Sequence, residues 1–494
     1  MLYTRALPAI IGLCGFASAT SSHNLPSPPG DSFYTKEIDV VAQLKSRLTG
    51  STNHTNFIDY LERELKSLGL KVISEYFDFD YNTPPSSLAL SVNGQSVPSS
   101  AYVPYSGNTG ASGVSGSLVQ IADPTGATVS PDWAPAKGKI AVVNITNTPT
   151  NGTAVFPVWP GSQQWGAMPG IPATNAGVKN LTAAAAAGVK GVIYNWFNIS
   201  SLNALGQYGP FKSNYQGVPA LYVTNQALEN VQAKADQNST LTSTGMLIHK
   251  RRTRTLYVVV EGTHYKKESV IISTHTDGTN AVEENGHIAL LAKARELAAS
   301  RPKRTTVLVF LTGHLHTSGF TGTGRVFERW FQDHPELWAG NTSTALKAVF
   351  GSCVEHLGAK HWREDPVNNV YYPTGSLEPE WLFAATSQLA ALLGKVWNGA
   401  QPGVLRAINP NKSLIEQSGE GLPLLWNNIP EISLCTGPDW LLKIWPGDFD
   451  ERQLADVPAV KRQTESFLKI WQTIDGWSAK EFGTVDYARI PAGL

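Results

Sequence analysis

Ser269-Val-Ile-Ile-Ser-Thr-His-Thr-Asp-Gly-Thr-Asn-Ala-Val-Glu-Glu-Asn-Gly-His-Ile-Ala-Leu-Leu-Ala-Lys-Ala-Arg-Glu-Leu297 changes its period half-way along. Val270 to Ile272 is an unbroken β-branched run, the pattern of a buried strand. His275, Thr276, Asp277 and Gly278 then form a turn cluster. After Glu283, Glu284, Asn285 and Gly286, apolar residues recur at Leu290, Ala294, Leu297 and Ala298, the i, i+4, i+7, i+8 spacing of a helix face. One imidazole and three carboxylates therefore gather between the end of a strand and the start of a helix, where open α/β sheets bind ligands. Taken alone, Glu283 reads as an acidic group complementing the helix dipole. His275, Asp277 and Glu284 together read as a site, because three polar side chains sit where the next elements should pack.

The stretch resembles the metal-binding segment of the co-catalytic zinc exopeptidases, the family of secreted leucine aminopeptidases and glutamate carboxypeptidase. That family shows His-x-Asp, then Asp-Asn-x-x-Gly opening a helix. Here Glu284-Asn285 takes the place of Asp-Asn after a short loop. Leu256-Tyr-Val-Val-Val-Glu-Gly262 is similar to the strand the family pairs with its His-x-Asp strand. The family's site uses five ligands for two zinc ions, one carboxylate bridging, and a Glu that takes a proton from metal-bound water. The resemblance implies His275 as the first ligand, Asp277 as the group orienting its imidazole, and Glu284 as the bridging carboxylate.

Later motifs depart from the family. Its third segment is a strand followed by Glu-Glu-x-Gly. Here the run Thr305 to Leu311 is followed by Thr-Gly-His-Leu-His-Thr-Ser-Gly319. Aligning Gly319 puts His316 at the base position and Thr317 at a ligand position, and Thr is a poor zinc ligand. Val354-Glu355-His356-Leu357-Gly358 matches the fourth segment, with Glu355 for Asp. The fifth should bring a His shortly after Ile429 to Leu434, yet Pro438-Asp-Trp-Leu-Leu442 has none and the last His is His361. Both losses fall on one metal. The resemblance thus implies a single zinc held by His275, Glu284 and Glu355, with His316 near the base position. His314 and His356 stand by as further ligands or hydrogen-bonding groups. Seven of the eleven His residues lie between 275 and 361, a clustering that favours a site there, although any one of them alone reads as structural.

The 494 residues allow two or more domains. A formal net charge of zero with only 16% charged residues gives no sign of nucleic acid or membrane as partner, and the resemblance implies a peptide or small acyl substrate. Residues 1–19 read as a signal peptide: Arg5, the apolar core Leu7 to Phe16, then Ala17-Ser18-Ala19. No later run approaches the ~20 apolar residues of a membrane span. The expectation is a secreted, extracellular glycoprotein with acceptor sequons at Asn53, Asn144, Asn151, Asn180, Asn198, Asn238, Asn341 and Asn411. In the mature chain Cys353 and Cys435 fit either one disulfide or two buried thiols.

Domain organisation follows from composition. A helical pair, the second helix beginning near Thr55, leads into a strand at Val72 to Phe79. From about residue 84 the chain turns rich in Gly, Ser, Pro and Thr. The order of strand Gly138 to Asn144, helix Leu181 to Gly188, strand Val189 to Tyr194 and strand Val218 to Val223 is similar to an inserted, β-rich protease-associated domain. Strands and helices alternate afterwards, with Glu380 to Gly394 reading as a helix behind Pro379. The expected architecture is a three-layer α/β, zinc-exopeptidase-like domain (20–84 and 247–494) with a mostly parallel central sheet, interrupted by the insert 85–246. The leading function is a metallohydrolase of peptide or other acyl bonds. The alternatives are an inactive peptidase homologue binding peptides or a partner, and a metal-poor enzyme acting on a small metabolite.

Overall fold

The computed structural model describes residues 26–122, 130–164, 166–168, 170, 172, 181–210, 217–230, 237–246, 248–315, 326–397, 405–413 and 416–488. The expected signal peptide, His316 and Thr317 lie outside the described residues. Among those described, no helix is long and apolar enough to cross a membrane.

Val270 to Ile272 sits inside the strand Tyr265–His275, whose last seven residues are all buried. That strand pairs in parallel with Arg304–Leu311 on one side and Lys347–Cys353 on the other. Ile248–Val260 and then Val72–Asn82 extend the sheet antiparallel. On the far side, parallel bridges from Gly351 to Glu431 and from Val354 to Leu434 add Ile432–Leu434, followed by Glu380–Ala384 and Leu405–Ile408. Four of the seven neighbouring pairs are parallel and three antiparallel, so the sheet is mixed with a parallel centre. Alternate residues feed opposite cores, as the two-residue strand period requires. Val270, Ile272, Leu308 and Phe310 pack with Phe57, Leu290 and Phe467, which belong to the helices Thr52–Ser67, His287–Ala299 and Val457–Asp475. Ile271, Val307, Val309 and Leu311 pack against Phe327 and Trp330 of the helix Val326–Asp333. Helices on both faces of one sheet make the three layers.

Among the boundaries that differ from the sequence reading, two have a clear local cause. The second helix starts at Thr52 because the Ser51 side chain accepts the His54 N–H, a capping bond that outweighs propensity. The larger difference is at 380–394. Glu380–Ala384 is a strand buried at every position, and the helix is Ser387–Val396. A short, continuously apolar run does not distinguish a buried strand from a helix. The helix begins at Thr386, whose hydroxyl accepts the Leu389 N–H, and not at Pro379.

Between the two segments that build this sheet lies a second, eight-stranded sheet. Its order is Gln95–Val97, Ser87–Val92, Asn238–Thr244, Val114–Ile121, Ile140–Thr146, Gly191–Phe197, Ala220–Thr224, Ala101–Tyr102. It has a core on each face, Val143, Tyr194 and Trp196 on one, Val142, Ile193 and Leu241 on the other. The insert is not confined to this sheet. Val158 bridges Ile408, and Pro157 O and Ala407 O accept the Asn409 and Trp159 amides at 2.8 Å each. Phe156 and Met168 join Trp381, Phe383, Ile408 and Cys435 in one buried cluster. A strap around Phe156 to Trp159 therefore runs along the edge strand Leu405–Ile408 of the first sheet.

Candidate metal centre

The site lies where the three parallel strands end. His275 closes the central strand, and Glu355 and His356 follow Lys347–Cys353. Gly286 at the start of the helix His287–Ala299 presses so close to Val354 that a Cβ would collide with the Val354 carbonyl oxygen. Asn285 then reaches across the contact. Its Oδ1 accepts the Leu357 N–H at 2.7 Å and its Nδ2 donates to the Leu357 carbonyl at 2.8 Å. This bracket holds the turn in which His356 adopts φ of 58°, a left-handed conformation costing roughly 1–3 kcal/mol in a non-glycine residue. Gly419 brings a second loop in: a Cβ there would sit 2.8 Å from Glu355 Oε2.

His275, Glu283, Glu284, Glu355 and His356 are buried, and His314 is partly buried. His275 Nδ1 lies 2.8 Å from the Asp277 carbonyl oxygen and 2.9 Å from Glu284 Oε2. A carbonyl only accepts, so Nδ1 carries the proton and Nε2 the lone pair. Nε2 is buried with no hydrogen-bond partner among the described residues, 3.9 Å from Glu355 Oε2. His356 repeats the arrangement: Nδ1 donates to the Thr436 carbonyl, and Nε2 is 3.7 Å from Glu355 Oε2. His275, Glu355 and His356 present ligand atoms within 4.8 Å of one another. His275, Glu283 and His314 form a second such group. An unpartnered imidazole nitrogen facing a carboxylate oxygen inside a dry site is the donor chemistry that zinc takes.

The sequence-derived candidates are placed unequally. His275 and Glu355 share one group, while Glu284 stands in neither. Its Oε1 accepts the Thr274 hydroxyl at 2.9 Å and its Oε2 lies on the Nδ1 side of His275. Asp277 orients that imidazole through its main-chain carbonyl and not through its carboxylate. The carboxylate instead accepts the amides of Gly313 (3.2 Å), His314 (3.3 Å) and Leu315 (2.7 Å), and the Thr49 hydroxyl at 2.5 Å. It fastens the loop that carries His314. The reason for this exchange of roles is the turn between them. Arg47, fully buried, donates to the carbonyls of Asn280 and Glu284 at 3.0 Å each and folds the turn so that Glu283, not Glu284, faces His314, with Glu283 Oε1 3.8 Å from its Nε2.

Three residues were missed or undervalued. Glu283, read as a dipole partner, lies in the centre. His314 stacks on His275 with ring centroids 4.1 Å apart, and its Nδ1 is 2.7 Å from Glu420 Oε1. Glu420 carried no motif; its one signal is an acidic residue set between two glycines in a long loop. Its amide donates to Glu355 Oε1 at 2.7 Å. Cys353 Sγ donates to the same oxygen at 3.1 Å. Cys353 and Cys435 are both buried free thiols.

Electrostatics follow from burial against this crowd of opposite groups. Burial raises the Glu355 pKa, but His275, His356 and His314 outweigh it and hold it at about 2. Burial pushes Glu283 up to about 7 against the pull of His275 and His314. Burial depresses His356 to about 4. His275 goes the other way: burial lowers its pKa, and the facing carboxyl groups of Glu284, Glu283 and Glu355 raise it well above its ordinary value. So many buried carboxyl groups around one imidazole favour a cation at this place.

No family model matches the sequence, and no curated protein matches it. Solved structures do. An aminopeptidase from Aneurinibacillus sp. strain AM-1 superimposes with a TM-score of 0.58 at 16% identity, covering 89% of this chain and 93% of its own. The zinc aminopeptidase of Bacillus subtilis gives 0.59 at 13%, over 92% and 98%. A peptidase M28 precursor from Shewanella amazonensis SB2B gives 0.59 at 14%, over 94% and 96%. At such identities the likeness is one of fold, and it extends over nearly the whole of each chain: this protein has the co-catalytic zinc exopeptidase fold.

Proposed function

We propose that the protein is a single-metal hydrolase of peptide or other acyl bonds. One observation carries the reading: the buried, unpartnered Nε2 of His275 aimed at Glu355 Oε2, 3.9 Å away. These two atoms would hold a divalent ion of the zinc type. When bound, zinc supplies Lewis acidity toward an acyl oxygen and makes a coordinated water more acidic.

The chain's own groups do the rest. Asp277 O and Glu284 fix the His275 ring and its tautomer. Glu420, hydrogen-bonded at 2.7 Å, prevails over burial and the neighbouring His275 and raises the His314 pKa. His314 is thereby fitted to accept a proton from the attacking water and return it to the leaving group, the role expected of His316. Phe156, Trp381 and Phe383 pack with Cys435 in one buried apolar cluster. Residues 1–19 would serve as an export signal, and 85–246 as a protease-associated domain.

The test is turnover of aminoacyl anilides, dipeptides and N-acyl or ester substrates by the purified full chain. Activity should fall on chelation and return with added zinc. Stoichiometric zinc with no turnover of any of these would remove the hydrolase reading. It would favour a non-catalytic peptide or partner binder, a reading supported by the loop after Pro438, where the resemblance implied a last imidazole and the chain supplies none.

A further inference from the structure

We infer that the ion of this reading is held by two imidazoles and one carboxylate, His275 Nε2, His356 Nε2 and Glu355 Oε2, and that Glu284 stands behind His275 as its outer carboxylate. The inference rests on the metal-dependent reading but adds a ligand, His356, and removes one, Glu284.

Four features support it. The two Nε2 atoms lie 3.9 and 3.7 Å from the same oxygen. Donors about 2.0–2.2 Å from a tetrahedral zinc are separated from each other by about 3.3–3.5 Å, so each imidazole needs to close on the oxygen by only a few tenths of an ångström, and all three ligand atoms lie within 4.8 Å of one another. Second, both rings are tied by Nδ1 to main-chain carbonyls, of Asp277 and Thr436, which leaves both Nε2 lone pairs for a metal. Third, the other oxygen of Glu355 is occupied by the Glu420 amide and the Cys353 thiol, so the carboxylate offers Oε2 alone. Fourth, His356 is held at a positive φ by the Asn285 bracket. Backbone strain maintained by buried hydrogen bonds is a mark of a functional position, and here it points the imidazole at Glu355.

Glu284 is excluded by direction. Its Oε2 lies 2.9 Å from Nδ1 of His275 without a hydrogen bond among the described residues, beside the nitrogen whose bond to the Asp277 carbonyl decides that the opposite one takes the metal. A carboxylate in that place steadies the ring and makes it a better donor. The rival group of Glu283 and His314 also includes His275, whose Nδ1 is taken by the Asp277 carbonyl, so both groups would draw on the same imidazole. In the rival group Glu283 Oε2 already accepts the Thr279 amide at 3.1 Å.

X-ray absorption fine structure on the zinc-loaded full chain counts the imidazoles on the metal, and competition with a chromophoric chelator gives the affinity. The wild type should show one zinc with two imidazoles. His356→Gln should show one imidazole and bind zinc at least ~10²-fold more weakly, beyond the ordinary cost of losing an outer partner. Glu284→Gln should keep two imidazoles and lose roughly 10–100-fold. His314→Gln should keep two. A wild type with one imidazole overturns the assignment even if His356→Gln fails to fold. So does His314→Gln dropping to one, which would move the ion to the Glu283 group. In both cases the hydrolase reading stands. A wild type that takes up no zinc overturns the assignment and the metal reading together.

Discussion

Replacing Glu431 by Gln should stabilise the protein in alkali and leave it little changed in acid. Glu431 sits in the bridge that joins the two parts of the main sheet, opposite Gly351. It is fully buried, its Oε2 accepts the Ser433 hydroxyl, and its Oε1 has no hydrogen-bond partner among the described residues. Burial raises its pKa from 4.5 to about 8, against the hydrogen bond from Ser433. Below pH 4.5 folded and unfolded chains both hold this proton, and stability does not depend on it. Between pH 4.5 and 8 the unfolded carboxyl loses the proton and the folded one keeps it, so stability falls as pH rises. At 1.36 kcal/mol per pKa unit the whole interval amounts to about 5 kcal/mol, and water entering the unfolding core reduces this to roughly 2–5 kcal/mol. Gln cannot ionise but mimics the protonated acid in shape. Urea unfolding of wild type and variant at pH 5, 7 and 9 gives the difference, which cancels every other titrating group. That difference should grow in favour of Glu431→Gln from pH 5 to pH 9. A constant difference over this range would refute the account of a buried, protonated Glu431.

Three further perturbations test other joints of the structure. Asn285→Ala removes both hydrogen bonds to Leu357 and strands a buried amide and carbonyl, so it should cost about 2–5 kcal/mol in chemical denaturation and lower zinc affinity more than wild-type-like stability would allow. Phe156→Ala empties the cluster between the strap and Trp381, Phe383 and Ile408. It should cost roughly 3–5 kcal/mol and expose the 152–168 strap to limited proteolysis, while an unchanged cleavage pattern would show that the strap holds by its main-chain bonds alone. Lys443→Met removes a buried ammonium that donates to the carbonyls of Leu202, Asn203 and Leu205. It should weaken the seat of the insert by about 2–4 kcal/mol, read as earlier, separate unfolding of the insert in hydrogen exchange.

How far the sequence can be read depends on how local the determining forces are. The strand ending at His275, the helix after Gly286 and the two-faced core follow from residues next to one another, and the periods of Val270 to Ile272 and of Leu290 to Ala298 reveal them. Glu380 to Ala384 defeats the same reading because a strand buried on both faces and a helix interior share one apolar pattern. The roles of Asp277 and Glu284 exchange for a reason no local pattern holds. Arg47, 233 residues before Asn280 in the chain, closes the turn that aims them. Glu420 reaches Glu355 from 65 residues away. His356 was visible as an imidazole but not as one turned into the site, since that depends on its positive φ and on the Asn285 bracket.

The loop after Pro438 shows what occupies the place where the family resemblance implied a last imidazole. On one side Leu441 O accepts the Thr279 hydroxyl and the Asn280 amide at 2.8 Å each, and Lys443 O accepts the Asn280 amide at 3.2 Å. These bonds hold the turn that leads to Glu283 and Glu284. On the other side the Tyr208 amide donates to Leu442 O, the Ile444 amide to Gly206 O, and Gln207 Nε2 to Asp439 O. Tyr102 and Tyr208 of the insert pack with Leu48, Leu315 and Leu442 around the same loop. A shift of this loop's main chain would therefore give up bonds to residues 206–208, to the 279–280 turn, or to both. Each buried bond broken without replacement costs about 1–3 kcal/mol, and several would break together. The loop binds the insert to the wall of the cleft, and it is committed to that task on both faces.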